Sequence, residues 1–509
     1  METTFKALIA RHSDDLPAIG APGRSWLTYG GLRALSASVK SQLNAAGVGR
    51  GDRVAIVLPN GPEMASAFVS IAQTCATAPL NPNYREDEYA FYLDDLNAKA
   101  IVLAAGYNGP ALPAAKAAGL AILRLSHEAS DPAGTFLLST EATGDANTED
   151  PQPEDVALIL HTSGTTSRPK IVPLLQSNVA ASAANIATSL ALTPEDRCMN
   201  VMPLFHIHGL IAAVSATLKA GGQVWCAPGF DALKFFSWMA DATPTWYTAV
   251  PTMHQAILAR AKRNHQTLKA VPLRFLRSSS ASLPPPVFKD LVATFNAPVI
   301  EGYGMTEATH QMASNPLPPG AQKPGSVGIE AGPLVRIAHE DENKLIDGAG
   351  EICISGPNVT PGYEGNPEAN KKNFFEAEGR RWFRTGDQGA FDDDGYLALT
   401  GRLKEIINRG GEKVSPLEVD AVVLDSPDVA QVVTFALPHP KLGEEVAAAV
   451  VLTEGSEATE ATIRDFAKSR MADFKVPRKV VILDEIPKGA TGKMQRIGMA
   501  EKLGLVGSV

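Results

Sequence analysis

The stretch from Val156 to Leu174, VALILHTSGTTSRPKIVPL, constrains this chain more than any other. An apolar run of strand character, Val156 to Leu160, delivers the chain into Thr162, Ser163, Gly164, Thr165, Thr166 and Ser167, followed by Arg168, Pro169 and Lys170. Such a loop concentrates backbone N–H groups, hydroxyl donors and two cations in one small volume, which is what a polyphosphate needs. It is not a Walker loop: G-x-x-x-x-G-K-[ST] is absent, and Ile171-Val172-Pro173-Leu174 reads as a second strand, not as the start of a helix. A solvated Ser/Thr turn would have the same composition. Signals further along the chain favour the phosphate-holding reading.

At 509 residues the chain exceeds what one core organises, so two to four domains or subdomains are expected. A net charge of -9 argues against nucleic acid or an anionic membrane as the main partner. No apolar run reaches the roughly 18 residues of a membrane span. Cys75, Cys198, Cys226 and Cys353 are scattered without a C-x-x-C, suggesting neither a disulfide frame nor a zinc site. The first residues lack a signal-peptide pattern and the last three are not a peroxisomal address, so a cytoplasmic location is expected.

Residues 1 to 150 alternate helical and strand patterns. Leu32, Leu35, Val39 and Leu43 form one stripe at a spacing of three and four, predicting a helix from Leu32 to Ala46. A strand follows at Val54–Leu58, then a helix at Glu63–Thr74, a helix at Glu86–Leu96 and a strand at Ala100–Leu103. The alternation predicts an α/β fold with largely parallel pairing. It continues with a helix from Asn178 to Leu190, a long apolar helix from Gly209 to Leu218, strands near Trp246 and Leu273–Ser278, a helix from Val287 to Phe295, and Val299-Ile300-Glu301. The Ala-rich run 113–121 reads as a surface helix. From Lys323 to Leu399 frequent glycines and short alternating runs predict a β-rich subdomain. A charged α+β segment follows. The expected division is a large domain over 1–400, a hinge at 401–404 and a small mobile domain over 405–509.

Three further motifs carry chemistry. In Glu301-Gly302-Tyr303-Gly304-Met305-Thr306-Glu307 the glycines permit close backbone approach, Tyr303 offers a flat face to a purine, and Glu307 is a hard oxygen ligand suited to Mg²⁺. In Trp382-Phe383-Arg384-Thr385-Gly386-Asp387, with Arg402 fifteen residues on, a carboxylate and a guanidinium suit a ribose diol. Lys493, in a Gly/Thr loop, could reach across a cleft and place an ammonium between two anions. Most lysines are simply solvated.

In order and spacing these motifs resemble the adenylate-forming superfamily of acyl-CoA synthetases, peptide-synthetase adenylation domains and beetle luciferases, over nearly the full chain. The resemblance implies ATP and a carboxylic acid giving an acyl-AMP and pyrophosphate, then acyl transfer to a thiol, with Mg²⁺ and coenzyme A required. It implies that Thr162, Ser163, Gly164, Thr165, Thr166 and Lys170 hold the β- and γ-phosphates, and that Thr306 and Glu307 meet the α-phosphate. Thr166 and Glu307 would serve the metal; Ser279, Ser280, Glu301, Gly302 and Tyr303 would line the nucleotide; Asp387 and Arg402 would bind ribose. Lys493 would bridge the carboxylate and the α-phosphate, with Lys404 as hinge and Gly410-Gly411 admitting the pantetheine. Ser167 and Ile171 stand where the family more often has glycines.

Around the expected acid pocket, Phe205-His206-Ile207-His208-Gly209, Ser278-Ser279-Ser280-Ala281-Ser282 and His310 crowd polar groups together. Leaving such donors unpaired against an alkyl chain would cost about 1–3 kcal/mol each, so a short, charged acid is favoured. The strings Arg277 to Leu283 and Met305 to Met312, with Ser314-Asn315-Pro316-Leu317-Pro318, resemble the oxalyl-CoA synthetase branch. Oxalate is therefore expected, its second carboxylate held by His310 and Ser280, with His208 as pocket gate. Malonate or another short- or medium-chain or aryl acid is the alternative, and a non-catalytic nucleotide-binding protein the alternative from a different class. A two-histidine metal site at His206 and His208 lacks a third ligand. Small-molecule partners and a monomer or homodimer complete the expectation.

Overall fold

A computed structural model describes residues 3–162, 169–487 and 494–506. Among the described residues four sheets build the molecule. The first runs Leu137–Ser139, Ala121–Ser126, Ala100–Ala104, Arg53–Val57, Ala76–Pro79, Val156–Thr162, Lys170–Leu175. The second runs Ile329–Glu330, His310–Ser314, Val299–Met305, Phe275–Ser279, Trp246–Ala249, Arg197–Asn200, Gln223–Cys226, Pro17–Gly20, Leu27–Thr28. Both are parallel in their interiors and close with antiparallel strands at their edges. Parallel strands such as Arg53–Val57 and Ala100–Ala104 are buried over most of their length and read as nearly unbroken apolar runs.

One large core joins the two sheets through the helices between them. The helix Tyr29–Ala45 turns Leu32, Leu35, Val39 and Leu43 into it. Its first turn is capped by the Thr28 hydroxyl, which accepts from the Gly31 N–H, and it ends where Gly47 takes a φ of +79°. The helix Pro62–Ile71 is buried at every position but Glu63, so it carries no polar stripe.

Two expected elements differ. The apolar run after Gly209 is a π-helix, His208–Ser215, continued by an α-helical turn, Ala216–Lys219. The Ser215 hydroxyl donates to the Leu210 carbonyl, five residues back, at 2.7 Å. Periodicity of side chains cannot separate these two windings when every face is apolar. The Ala-rich helix stops at Ala117, because Gly119 reverses the chain at a φ of +68°, and Ala114 and Ala115 are buried. Small side chains let that helix lie close to its sheet.

Residues beyond Lys323 form a six-stranded antiparallel sheet in which Arg380–Phe391 pairs with Leu397–Arg402. The strand Ile407–Arg409 opens a separate five-stranded sheet with its own core. Contacts across this change include the Ser415 hydroxyl on the Thr400 carbonyl and Lys413 on Glu340 at 2.8 Å. All four cysteines are buried free thiols. Among the described residues no helix is long and apolar enough to cross a membrane.

Candidate functional site

The Val299–Met305 strand supplies most of the groups singled out above, and its glycines explain how. A Cβ on Gly304 would fall 1.9 Å from the His310 carbonyl oxygen, so only glycine permits the tight reversal into the His310–Ser314 strand. A single 3₁₀ turn, Thr306–Ala308, makes that reversal, and Thr309 and His310 leave it at φ of +49° and +92°. Strained backbone of this kind is held in place by its surroundings. Here the Ser182 hydroxyl donates to the Thr309 carbonyl at 2.5 Å and Thr309 donates to Asn358 at 2.7 Å.

On one side of this strand lies a cluster of charges. The Tyr303 hydroxyl donates to Asp387 Oδ2 at 2.5 Å. Asp387 is the register partner of Arg402, whose Nε lies 3.3 Å from Oδ1. The Asp387 side chain is 10% exposed and that of Arg402 57%, so a buried acceptor sits beside a cation open to solvent. Fifteen residues in sequence become direct neighbours because the two strands form a hairpin. Tyr303 itself packs in the main core, with its hydroxyl end turned to the carboxylate.

Glu307 is 5% exposed and its Oε1 accepts from the Tyr363 hydroxyl at 2.8 Å. Burial raises its pKa above the ordinary carboxylate range, against the pull of that hydrogen bond and of Lys170. The Lys170 ammonium stands 4.3 Å over the Tyr363 ring. Burial lowers its pKa; the charge of Glu307 opposes this, and Lys404 and Lys372 add to it. Lys170 is the register partner of Thr162, so the two strands hold the ends of the hydroxyl-rich loop together. Ser163, Gly164, Thr165 and Thr166 lie outside the described residues, as does Lys493.

Tyr363 was not among the expected residues. Its only sequence signal is Pro361-Gly362 before it, a turn signature that many loops share.

On the other side is a cluster without carboxylates. His208 is fully buried at the first position of the π-helix; its Nδ1 lies 3.0 Å from the Ser280 hydroxyl and its Nε2 2.6 Å from that of Thr248. The His310 ring stacks on it at 5.0 Å, tilted by 19°. Ser280 adopts a φ of +74°, a conformation that serine rarely takes. His206 Nδ1 accepts the His208 backbone N–H at 3.3 Å, a structural task. Thr248 was also missed: it is one residue of an apolar strand, with nothing local to mark it.

Two expected nucleotide contacts have other tasks. The Ser279 hydroxyl donates to the Gly302 carbonyl at 2.6 Å, tying adjacent strands together. Glu301 points to the opposite face of the sheet, because it is the register partner of Ser278 and side chains alternate. There its Oε1 accepts from the Leu283 N–H at 2.9 Å, and burial pushes its carboxyl up to about 8. Gly410 and Gly411, at φ of +60° and +97°, form the turn between Ile407–Arg409 and Glu412–Val414; a Cβ on Gly411 would meet nothing within 4 Å.

Among the described residues no three His, Cys, Asp or Glu side chains converge on a metal-sized space. Glu307 fits the pattern by which Mg²⁺ takes one or two carboxylates and completes its shell with phosphate oxygens and water.

The chain is similar over its length to proteins of known activity. It is 46% identical to the oxalate–CoA ligase of Arabidopsis thaliana, covering 96% of both chains. To the oxalate–CoA ligase of Saccharomyces cerevisiae it is 43% identical, covering 89% of this chain and 87% of that one. Among solved structures, ATP-bound MatB from Rhodopseudomonas palustris superposes with a TM-score of 0.87 at 29% identity, covering 99% of each chain. Residues 5–364 match the family described as AMP-binding enzyme, and residues 418–493 its C-terminal domain. With its motifs, sheets and strand-end clusters in that arrangement, the chain belongs to the AMP-binding enzyme family.

Proposed function

We propose that this chain is an ATP-dependent acid–thiol ligase that adenylates oxalate and passes the oxalyl group to coenzyme A. The observation that carries the choice of acid is the polar cluster of His208, Ser280, Thr248 and His310, in which two hydroxyls flank the His208 ring and His310 stacks on it. A short anion can exchange hydrogen bonds with such a cluster; an alkyl chain offers it neither donor nor acceptor.

In the first half-reaction one oxygen of the acid attacks the α-phosphorus of ATP, a new O–P bond forms and pyrophosphate leaves. In the second the thiol of coenzyme A attacks the acyl carbon and AMP leaves. Anion must meet anion in the first step, so positioning and cationic screening supply most of the rate. Thr162, Ser163, Gly164, Thr165, Thr166 and Lys170 are assigned to the β- and γ-phosphates, Thr306 and Glu307 to the α-phosphate side, Asp387 and Arg402 to the ribose, and Lys493 to the gap between carboxylate and phosphate. Mg²⁺, assigned to Glu307 and Thr166, would screen phosphate charge.

The assignment includes a hinge at 401–404. In its support, the last strand of the six-stranded sheet ends at Arg402 and the next sheet begins at Ile407. Rotation about Lys404 would exchange Lys493 for the Gly410-Gly411 turn at the site. A pyrophosphate-release screen of short mono- and dicarboxylates, with and without coenzyme A, tests the proposal. Oxalate should give the highest kcat/KM, with AMP release and an acyl thioester only when the thiol is present. ATP binding without pyrophosphate for any acid would refute the enzymatic reading, and a best substrate other than oxalate would refute the choice of acid.

A further inference from the structure

Arg277 sits fully buried in the middle of the nine-stranded sheet. Its neighbours fix where its head group goes. It is the register partner of Thr248 on one side and Ile300 on the other, so it shares the sheet face from which Thr248 reaches His208. A Cβ on Gly302, two residues beyond Ile300, would lie 2.5 Å from one guanidinium nitrogen. The head group therefore leans toward the carboxyl ends of the strands, where ligands of open α/β sheets bind. Gly302 is what leaves room for it.

One nitrogen, Nη2, donates to Gln311 Oε1 at 3.2 Å; Nε and Nη1 have no hydrogen-bond partner among the described residues. Burial lowers its pKa to about 10, which still leaves it cationic near neutral pH, and no described Asp or Glu offsets the burial. Glu301, on the adjacent strand, faces the other way. An uncompensated buried charge with unfilled donors is costly and persists where something else completes it. A guanidinium fork matches a carboxylate in charge and in geometry.

We propose that Arg277 is the anion clamp of the acid pocket, its free nitrogens holding the carboxylate of oxalate that does not react, beside the His208–Thr248 pair. This rests on the reading of the acid as a short dicarboxylate. His208, Ser280 and His310 then shape the pocket, and Arg277 supplies its charge.

The test compares oxalate with oxamate, its monoamide, which keeps the reacting carboxylate and lacks the second charge. In the wild type, kcat/KM for oxalate should exceed that for oxamate by about 100-fold, the order expected when hydrogen bonds to a charged group are lost. Arg277→Met should lower the oxalate value by about 100-fold and the oxamate value by less than about threefold, with the KM for ATP unchanged. Its Tm should match or exceed that of the wild type, since a lone buried cation is removed. Arg277→Lys, a point charge without the fork, should lose about tenfold on oxalate alone and decides the matter if the methionine variant does not fold.

Equal losses on both acids in a folded variant that binds ATP would overturn the clamp, as would an undiminished preference for oxalate. If the wild type uses malonate best, the choice of oxalate fails while the clamp is tested with malonate and its monoamide. If it uses a monocarboxylate best, both fail.

Discussion

The two flanks of the Val299–Met305 strand are built on opposite electrostatic plans. On the Asp387 side each carboxylate has a described partner: Tyr303 and Arg402 hold Asp387, the Tyr363 hydroxyl donates to Glu307 with Lys170 over the Tyr363 ring, and Arg402 opens to solvent. On the His208 side the described residues bring neutral donors, a stacked histidine pair and the buried cation of Arg277, with no carboxylate to match it. The first arrangement surrounds its carboxylates with partners. The second, on the proposal above, would be completed by an anion. The end of one strand thus borders both clusters, one with partnered carboxylates and one with a buried cation.

The largest expected effect comes from the group assigned to join the two flanks. Lys493→Ala should lower pyrophosphate release by about 10²–10³-fold, the usual cost of removing one charge-stabilising donor, while conversion of a supplied acyl-AMP to thioester continues. Loss of both half-reactions together would place Lys493 in the fold and not in the chemistry.

Next, Asp387→Ala should raise the KM for ATP by about 10–100-fold and leave the ranking of acids unchanged, because it strands the Tyr303 hydroxyl and Arg402 on the nucleotide side only. A changed acid ranking would break the separation of the two flanks. His310→Ala should act in the mirror sense, weakening oxalate by about tenfold and ATP by less than about twofold, as one contact of the pocket is lost. Equal loss for every acid would remove His310 from the specificity set.

The smallest effect concerns stability. Glu301 is a buried carboxyl raised from an ordinary 4.5 to about 8, so between these values the folded state holds a proton that the unfolded state releases. Stability contributed by the neutral form is fully present below pH 4.5 and is lost as the pH rises toward 8. Urea unfolding at pH 6 and pH 7 should differ by at most about 1.4 kcal/mol in this direction, and Glu301→Gln should flatten the difference. An unchanged slope in Glu301→Gln would assign the pH dependence elsewhere.

Much of the architecture was written in local patterns. Strand–helix alternation, the apolar stripe of Tyr29–Ala45 and the glycine-rich texture after Lys323 each report burial that a short window can register. The π-helix was not legible, since an element apolar on every face shows no preferred period. The residues assigned to the nucleotide stood out in the sequence because they cluster in short motifs of unusual chemistry. Tyr363 and Thr248 were not, because each is an ordinary residue in an ordinary stretch whose position matters only through partners 56 and 40 residues away.

The sequence by itself determined which groups this protein owns: a hydroxyl-rich loop between two strands, a glycine-spaced strand end, a buried-type acid and an unusual density of serine and histidine. Only the tertiary structure decided which of them share a space. Whether Glu301 and Arg277 face each other or turn apart depends on strand register, and whether a buried cation finds a counterion depends on every element packed against it. Neither is a property of neighbouring residues in the chain, because charge in a low-dielectric interior is balanced in three dimensions.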